Sequence, residues 1–298
     1  MKVLVLGGSG FVGTHLIPRL LQRGHEVTLL SRGKRSSPLP VRQLRGDVSS
    51  GIGLKEALQG QEAVIYLVGI IREKDQSFQA AHVEGVRRTL ELIPPSTRVL
   101  HMSALGARRG TGSRYFETKA QAEELVEASA ASWTILRPSL IFGEGDDFFS
   151  NVLKGLVRAP LPFIPQIGDG HFPFRPIWAG DVAEAFAQAL EKPETIGKRY
   201  DLVGPKEYTF RELLLLEREA LGSRKPLVPI PLGLMDLVVP LLHPLPFSPI
   251  TRDQYIMLKA GNTGDPGPMR QAFALEERPL EVELPRILKL ATNQPVSQ

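Results

Sequence analysis

The sequence predicts an α/β fold, with a doubly wound parallel sheet in the N-terminal half and a smaller C-terminal α+β region. Three observations carry this. Short β-rich runs alternate with helical stretches through the first half of the chain. Those runs are mainly apolar and do not alternate, as in strands covered on both faces. A glycine-rich turn follows the first run and opens the first helix. Together they describe a Rossmann-type sheet.

Taken in order, strands are predicted over residues 2–6, 26–30, 41–44, 63–68, 98–102 and 133–136. Helices are predicted over 11–23, 54–58, 78–92 and 114–129. Right-handed crossovers then set the topology. Pro18 breaks a local rule: it has no N–H for the carbonyl of Thr14, so a kink or loosened turn is expected in the first helix. After Phe142 the pattern changes. Residues 143–147 read as a polar loop, and 156–170 are rich in Pro and Gly. Gly180-Asp181-Val182-Ala183 opens a helix to about residue 190. Thr209 with Glu212, and Thr251 with Gln254, have capping-box spacing for helices to about 221 and 259. The expected division is a dinucleotide-binding domain of residues 1–145, with 173–203 returning to it, and a smaller covering region of 146–172 and 204–298. Residues 293–298 are expected to fray.

Composition bounds the function. The 298 residues carry a net charge of +4, from 36 basic and 32 acidic side chains, which is too mild to argue for nucleic acid. Two stretches lack acids: Arg32, Lys34, Arg35, Arg42 and Arg45 in one, Arg98, Arg108, Arg109 and Arg114 in the other. Each reads as a solvated loop or as a place that meets phosphate. Neither has an aromatic or helical recognition frame, so no nucleic-acid partner is expected. With no cysteine, disulfides, thiolate catalysis and Cys-ligated metals are excluded. The six histidines show no metal-binding spacing, so no metal is expected. No secretory leader and no run of about 18 apolar residues is visible, so the expected location is the cytoplasm.

The glycine turn is Gly7-Gly8-Ser9-Gly10-Phe11-Val12-Gly13. Gly7 allows a tight exit from the strand, Gly10 lets backbone approach a pyrophosphate, and Gly13 allows close helix–sheet packing. The helix start, with Ser9, Phe11 and Val12, offers free N–H groups and a favourable dipole. This context predicts dinucleotide binding. The second strand ends in Ser31-Arg32-Gly33. An Asp or Glu there would hold the ribose hydroxyls of NAD; the missing carboxylate and the Arg32 guanidinium favour NADP(H) over NAD(H). Asp47 and Val48 end the third strand, where a carboxylate can accept from the adenine amino group; Asp47 also suits helix entry. Leu67, Val68 and Gly69 end the fourth, where a small residue allows close approach to a ribose.

Ser103 follows the fifth strand, and Tyr115 and Lys119 come after it at i and i+4 of a helix. They share a stripe with Ala122 and Val126, so the pair is expected to face the sheet. A cation beside a phenol is expected to lower its pKa and make an acid/base group; Ser103 can bond a substrate oxygen.

The residues at 7–13, Ser103, Tyr115 and Lys119 resemble the extended or atypical short-chain dehydrogenase/reductase superfamily. Within it, several stretches resemble the complex I 39 kDa accessory-subunit group and its free-standing bacterial relatives. These are His82-Val83-Glu84-Gly85, Leu136-Arg137-Pro138-Ser139, Phe142-Gly143, Pro176-Ile177, Asp181-Val182-Ala183 and Thr251-Arg252-Asp253-Gln254. The resemblance implies a tightly held NADP(H) and a C-terminal region covering the site. It implies Tyr115 as proton donor and acceptor, Lys119 on the nicotinamide ribose, and Pro138 beside the nicotinamide. His82 stands where sugar-nucleotide epimerases usually carry Asn; this argues against sugar-nucleotide chemistry, and His82 reads as a packed helix histidine.

Two functions follow. One is an oxidoreductase or epimerase acting on an unidentified small carbonyl or alcohol through Ser103, Tyr115 and Lys119. The other is a non-catalytic NADP(H)-binding subunit, assembly factor or redox sensor. The apolar run 232–242, with Asp236 its single charge, is expected to be a buried helix over the substrate cleft. Its alternative is a surface for a membrane, a quinone or a respiratory-complex partner, peripheral to the membrane. Arg108 and Arg109, between Ser103 and Tyr115, read as a solvated loop or an anion clamp.

Overall fold

The computed structural model describes residues 1–33, 39–242 and 250–293. Lys34 and Arg35, and residues 294–298 of the expected frayed end, lie outside the described residues. Asn293 is the last residue of the helix Leu280–Asn293.

The first unit comprises Met1–Pro138, Ala179–Leu202 and Asp265–Glu276; the last of these stretches belongs by sequence to the smaller region. Its strands are β1 (Lys2–Leu6), β2 (Glu26–Ser31), β3 (Arg42–Arg45), β4 (Ala63–Tyr66), β5 (Arg98–Met102), β6 (Ser132–Pro138) and a seventh at Lys198–Leu202. The seventh lies beside β6, and the order continues β5, β4, β1, β2, β3. Every pairing is parallel. The chain winds one way from β1 through β2 to β3 and the other way from β4 onward. The switch point therefore lies beside the C-terminal end of β1, where residues 7–13 begin.

Both faces of the sheet are covered. On one, Leu4, Leu6, Val64 and Ile135 pack with Leu54 of α2 (Leu54–Leu58), Val86 of α3 (Gly85–Leu92), and Ala122 and Val126 of α4 (Arg114–Ala128). On the other, the side chains of Val5, Leu29 and Ile17 close around Gly8, Ile17 coming from α1 (Phe11–Gln22). Each fully buried leucine or valine contributes about 1.5–3 kcal/mol. Parallel strands read as continuous apolar runs because neither face meets water. Helix α1 packs along the helix Ala179–Glu191, and Arg23 pairs with Glu184 at 2.7 Å. It continues past Pro18 to Gln22.

One helix differs from expectation in its winding. Residues predicted as α-helix from 78 begin as a π-turn, Gln79–Glu84, and only then become α3. The hydroxyl of Tyr66 donates to the carbonyl of Ala81 at 2.7 Å, and Gly85 N–H bonds Ala80 O instead. A Cβ on Gly85 would stand 2.2 Å from that hydroxyl. A side chain from β4 thus inserts into the helical ladder, which is a known cause of such bulges.

The second unit comprises Ser139–Trp178, Val203–Gly264 and Glu277–Gln298. Its core joins Phe142, Phe149, Phe174, Phe210, Leu213 and Leu284. Both expected capping boxes form: Thr209 with Glu212 opens Phe210–Ala220, and Thr251 with Gln254 opens Arg252–Ala260. The burial expected for 232–242 is corrected. The helix Leu232–Leu242 forms, but Leu234, Leu237 and Leu241 are 51 %, 65 % and 69 % exposed. They recur at i, i+3 and i+7, on one face. The helix is held through buried Val239 and through Asp236, which accepts from Tyr255 Oη at 2.9 Å and Lys259 Nζ at 2.6 Å.

Candidate active site

The glycine turn has the shape its spacing implies. A Cβ on Gly13 would stand 2.2 Å from Gly8 O, and one on Gly7, whose φ is +81°, 2.9 Å from Val68 N. A Cβ on Gly10 would meet only Gly7 O, at 3.2 Å, so its other side lies open. Gly10 is the N-cap of α1, with no side-chain cap and no acid in the first turn. Phe11, Val12 and Gly13 therefore present helix-start N–H groups to whatever approaches Gly10. This cradle fits a dinucleotide pyrophosphate.

At the next strand end, Arg32 follows Ser31 and is exposed. Parallel pairing sets Ser31 beside Arg45 of β3. A Cβ on Gly33 would lie 3.5 Å from Arg45 Nε, so the Arg45 side chain reaches the turn that carries Arg32. Sequence reasoning counted Arg45 only as part of a basic cluster; the strand register is what brings it here. Asp47 accepts from Ser49 N–H at 2.8 Å and from Gln76 Nε2 at 2.9 and 3.1 Å. Val48 beside it is buried.

On the other side of β1, β4 stops at Tyr66, earlier than the expected residue 68. Leu67 N–H still bonds Leu6 O, and Val68 passes against Gly7. Gly69 then comes beside Lys119: a Cβ there would stand 3.2 Å from Lys119 Nζ and 4.0 Å from His82 Nε2. Lys119 is 1 % exposed and donates to Met102 O at 3.0 Å. Burial lowers its pKa to about 8. Ser103 N–H bonds Leu136 O at 2.9 Å, while its buried Oγ has no hydrogen-bond partner among the described residues. Pro138 ends β6, is buried, and accepts from Leu105 N–H at 2.9 Å. Gly69, Ser103, Tyr115, Lys119 and Pro138 all lie in the first unit, at the C-terminal ends of β4, β5 and β6 or on α4.

The expected lowering of the Tyr115 pKa is corrected. Tyr115 packs edge-on against Phe78 at 5.9 Å and His82 at 5.4 Å between ring centroids. That apolar wall raises the phenol to about 12, and burial is its cause. At neutral pH the hydroxyl holds its proton.

His82 is 1 % exposed. Its Nε2 accepts from Ile70 N–H at 3.2 Å, and its Nδ1 lies 2.9 Å from Thr118 Oγ1. An accepting Nε2 makes Nδ1–H the donor. Burial and the nearby Lys119 charge hold its pKa down at about 2, so it is a neutral packing residue. Arg109 forms an exposed bidentate pair with Glu124 at 2.8 and 2.6 Å. Among the described residues no group of three or more His, Asp or Glu could hold a metal ion, and no helix is long and apolar enough to cross a membrane. A separate cavity of about 410 Å³ opens at the opposite ends of the strands, lined by Lys2, His25, Thr28 and Gln61 among others.

Comparison with known proteins shows the family and the fold. The family described as "NAD dependent epimerase/dehydratase family" matches residues 3–203. NADH dehydrogenase (ubiquinone) 1 alpha subcomplex subunit 9, mitochondrial, of Arabidopsis thaliana is 31 % identical over 225 residues, 70 % of this chain and 55 % of its own length. A ceramide reductase of Caulobacter vibrioides is 30 % identical over 171 residues, 55 % of this chain and 54 % of its own length. The chain thus spans about half the length of these curated relatives. The crystal structure of Thermus thermophilus UDP-glucose 4-epimerase in complex with NAD superposes with a TM-score of 0.74 at 20 % identity, over 99 % of this chain and 100 % of that one. At that identity it shows the fold alone.

Proposed function

The chain belongs to the NAD-dependent epimerase/dehydratase family, and from that premise we propose that it binds NADP(H) and transfers hydride to or from a small carbonyl or alcohol. The observation that carries the chemistry is the orphaned Ser103 hydroxyl. A buried hydroxyl with no partner costs about 1–3 kcal/mol, and it lies one residue from the carbonyl that Lys119 holds. A substrate oxygen would satisfy it.

The cofactor would supply the hydride. This chain's residues do the rest. Ser103 donates to the carbonyl oxygen and orients it. Tyr115, kept protonated by its apolar wall, gives that oxygen its proton in reduction and takes it back in oxidation. Lys119 bonds the nicotinamide ribose and stabilises a phenolate as it forms. Pro138 and Gly69 shape the nicotinamide end. Arg32, with Arg45 beside it, pairs with the 2′-phosphate and selects NADP(H) over NAD(H). Asp47 accepts from the adenine.

A second reading rests on the exposed stripe Leu234, Leu237 and Leu241. An apolar helix face whose only charge is engaged by Lys259 suits a partner subunit or a membrane surface. The name of the Arabidopsis relative, a subunit of NADH dehydrogenase, agrees with a place in a respiratory complex. On this reading the protein is peripheral to a membrane and its nucleotide is structural or sensory.

One experiment separates the two. The purified protein is denatured, the released nucleotide identified, and NADPH oxidation followed with a panel of ketones and aldehydes, lipid-borne ones included. Release of NADP(H) with turnover supports the enzyme; release without turnover on any carbonyl supports the second reading. No release and no binding of added NADPH overturns both.

A further inference from the structure

The segment between β4 and the π-turn is tied down in three places. Ile70 N–H bonds His82 Nε2 at 3.2 Å. The Glu73 carboxylate takes Arg114 at 2.8 and 3.1 Å and Phe78 N–H at 2.7 Å. Gln76 Nε2 reaches Asp47 and also lies 3.0 Å from Ser49 Oγ. The turn after Asp47 is itself stiff: Asp47 N–H bonds Ile52 O, Gly51 N–H bonds Asp47 O, and Arg88 donates to Ser49 O. Gln76 is therefore held in one place, half-buried, against the carboxylate assigned to the adenine.

We propose that Gln76 is a specificity-determining residue that reads the exocyclic 6-amino group of the cofactor's base together with Asp47. The inference rests on the dinucleotide binding proposed above. A carboxamide carries donors at one end and an acceptor at the other. With Nε2 committed to Asp47 and Ser49, Oε1 is the end that accepts. An amino group has two hydrogens, and the pair offers two acceptors: the Asp47 carboxylate takes one and Gln76 Oε1 the other. A 6-oxo base such as hypoxanthine offers an acceptor to those same acceptors and is rejected, because two acceptors facing each other lose more than a missing contact. Gln76 thereby couples base identity to this segment, which Glu73 also ties to Arg114, next to Tyr115.

The test compares NADPH with its reduced hypoxanthine analogue by direct titration. The proteins are the full-length chain and the Gln76→Met variant, which keeps the side-chain length; thermal melts show whether the variant folds. The wild type is expected to prefer the adenine form by at least about tenfold, and the variant to lose most of that preference chiefly through weaker NADPH binding. If both dinucleotides weaken by the same factor, or neither changes, Gln76 only fastens the segment to Asp47 and the proposal is wrong. Equal binding of the two by the wild type overturns it as well. Failure of the wild type to bind either dinucleotide instead removes the cofactor reading on which it stands. Gln76→Ala gives a second folded variant if the methionine packs poorly, with the same collapse of the ratio expected.

Discussion

Lys119 Nζ donates to the carbonyl oxygen of Met102 at 3.0 Å, tying the middle of α4 to the end of β5 one residue before Ser103. Among the described residues no carboxylate pairs with this ammonium. A buried charge without an ion pair costs stability; here burial outweighs the Glu123 charge, which favours the ammonium.

This has a measurable consequence. The folded pKa of about 8 lies below the ordinary 10.5. Between those values the unfolded chain binds the extra proton, so stability rises as pH climbs through that window; below it the full penalty stands. Lys119→Met is expected to stabilise the protein at pH 7 by on the order of 1–3 kcal/mol, with the gain shrinking by pH 10 and NADPH binding weakened. Urea melts at the two pH values check it. A gain that does not change with pH would refute the buried-charge account.

Tyr115→Phe is expected to abolish hydride transfer on any confirmed substrate and to leave NADPH affinity within about twofold, since the fold does not need the hydroxyl. Ser103→Ala should lower kcat about 10²-fold, as loss of an oxyanion donor does. Stopped-flow turnover beside equilibrium titration separates the effects. Full activity of Tyr115→Phe would end the assignment.

The cofactor phosphate is tested by Arg32→Asp and Arg45→Ala. Both should weaken NADPH, the first by at least about 10²-fold and the second by about tenfold, with NADH little changed. Equal loss of both nucleotides in either variant would mean that its guanidinium serves the fold rather than the 2′-phosphate.

Gly13→Ala would place a methyl 2.2 Å from Gly8 O. Backbone must then shift, and a loss of more than about 3 kcal/mol is expected. Gly155 has nothing within 4 Å of its would-be Cβ and sits in the helix Lys154–Arg158. Gly155→Ala should stabilise by about 0.5–1 kcal/mol. Thermal unfolding of the pair is a matched comparison; similar midpoints would contradict the close packing of α1 on the turn.

The double variant Leu237→Glu with Leu241→Glu should leave the melting temperature unchanged, because both side chains already face water. It should reduce co-sedimentation with vesicles of mixed neutral and anionic lipid, or any self-association of the wild type seen by ultracentrifugation. A large drop in melting temperature would show that the leucines are covered in solution.

Much of the fold was legible because parallel strands and their crossover helices write their burial into local periodicity. The apolar runs at β1 and β4, the Gly7 to Gly13 spacing and the i, i+4 stripe of Tyr115 and Lys119 each depend only on neighbours in sequence. The π-turn was not legible: its cause, Tyr66, lies 15 residues before the carbonyl it takes. Arg45 beside Gly33 depends on strand register, and Gln76 on Asp47 on a contact 29 residues apart. Hydropathy showed that 232–242 is apolar, but nothing in a local pattern says whether another element covers it.

The sequence by itself determined the α/β class, the parallel sheet, the glycine turn and the residue types at the candidate catalytic positions. These follow from steric rules and periodicities that act within a few residues. Only the tertiary structure decided that burial raises the Tyr115 pKa rather than lowering it, that Lys119 is buried without an ion pair, that Gln76 stands on Asp47, and that Leu234, Leu237 and Leu241 face outward. Each of these depends on which distant groups exclude water or supply a hydrogen bond, and desolvation and pairing are properties of the assembled neighbourhood rather than of the residue.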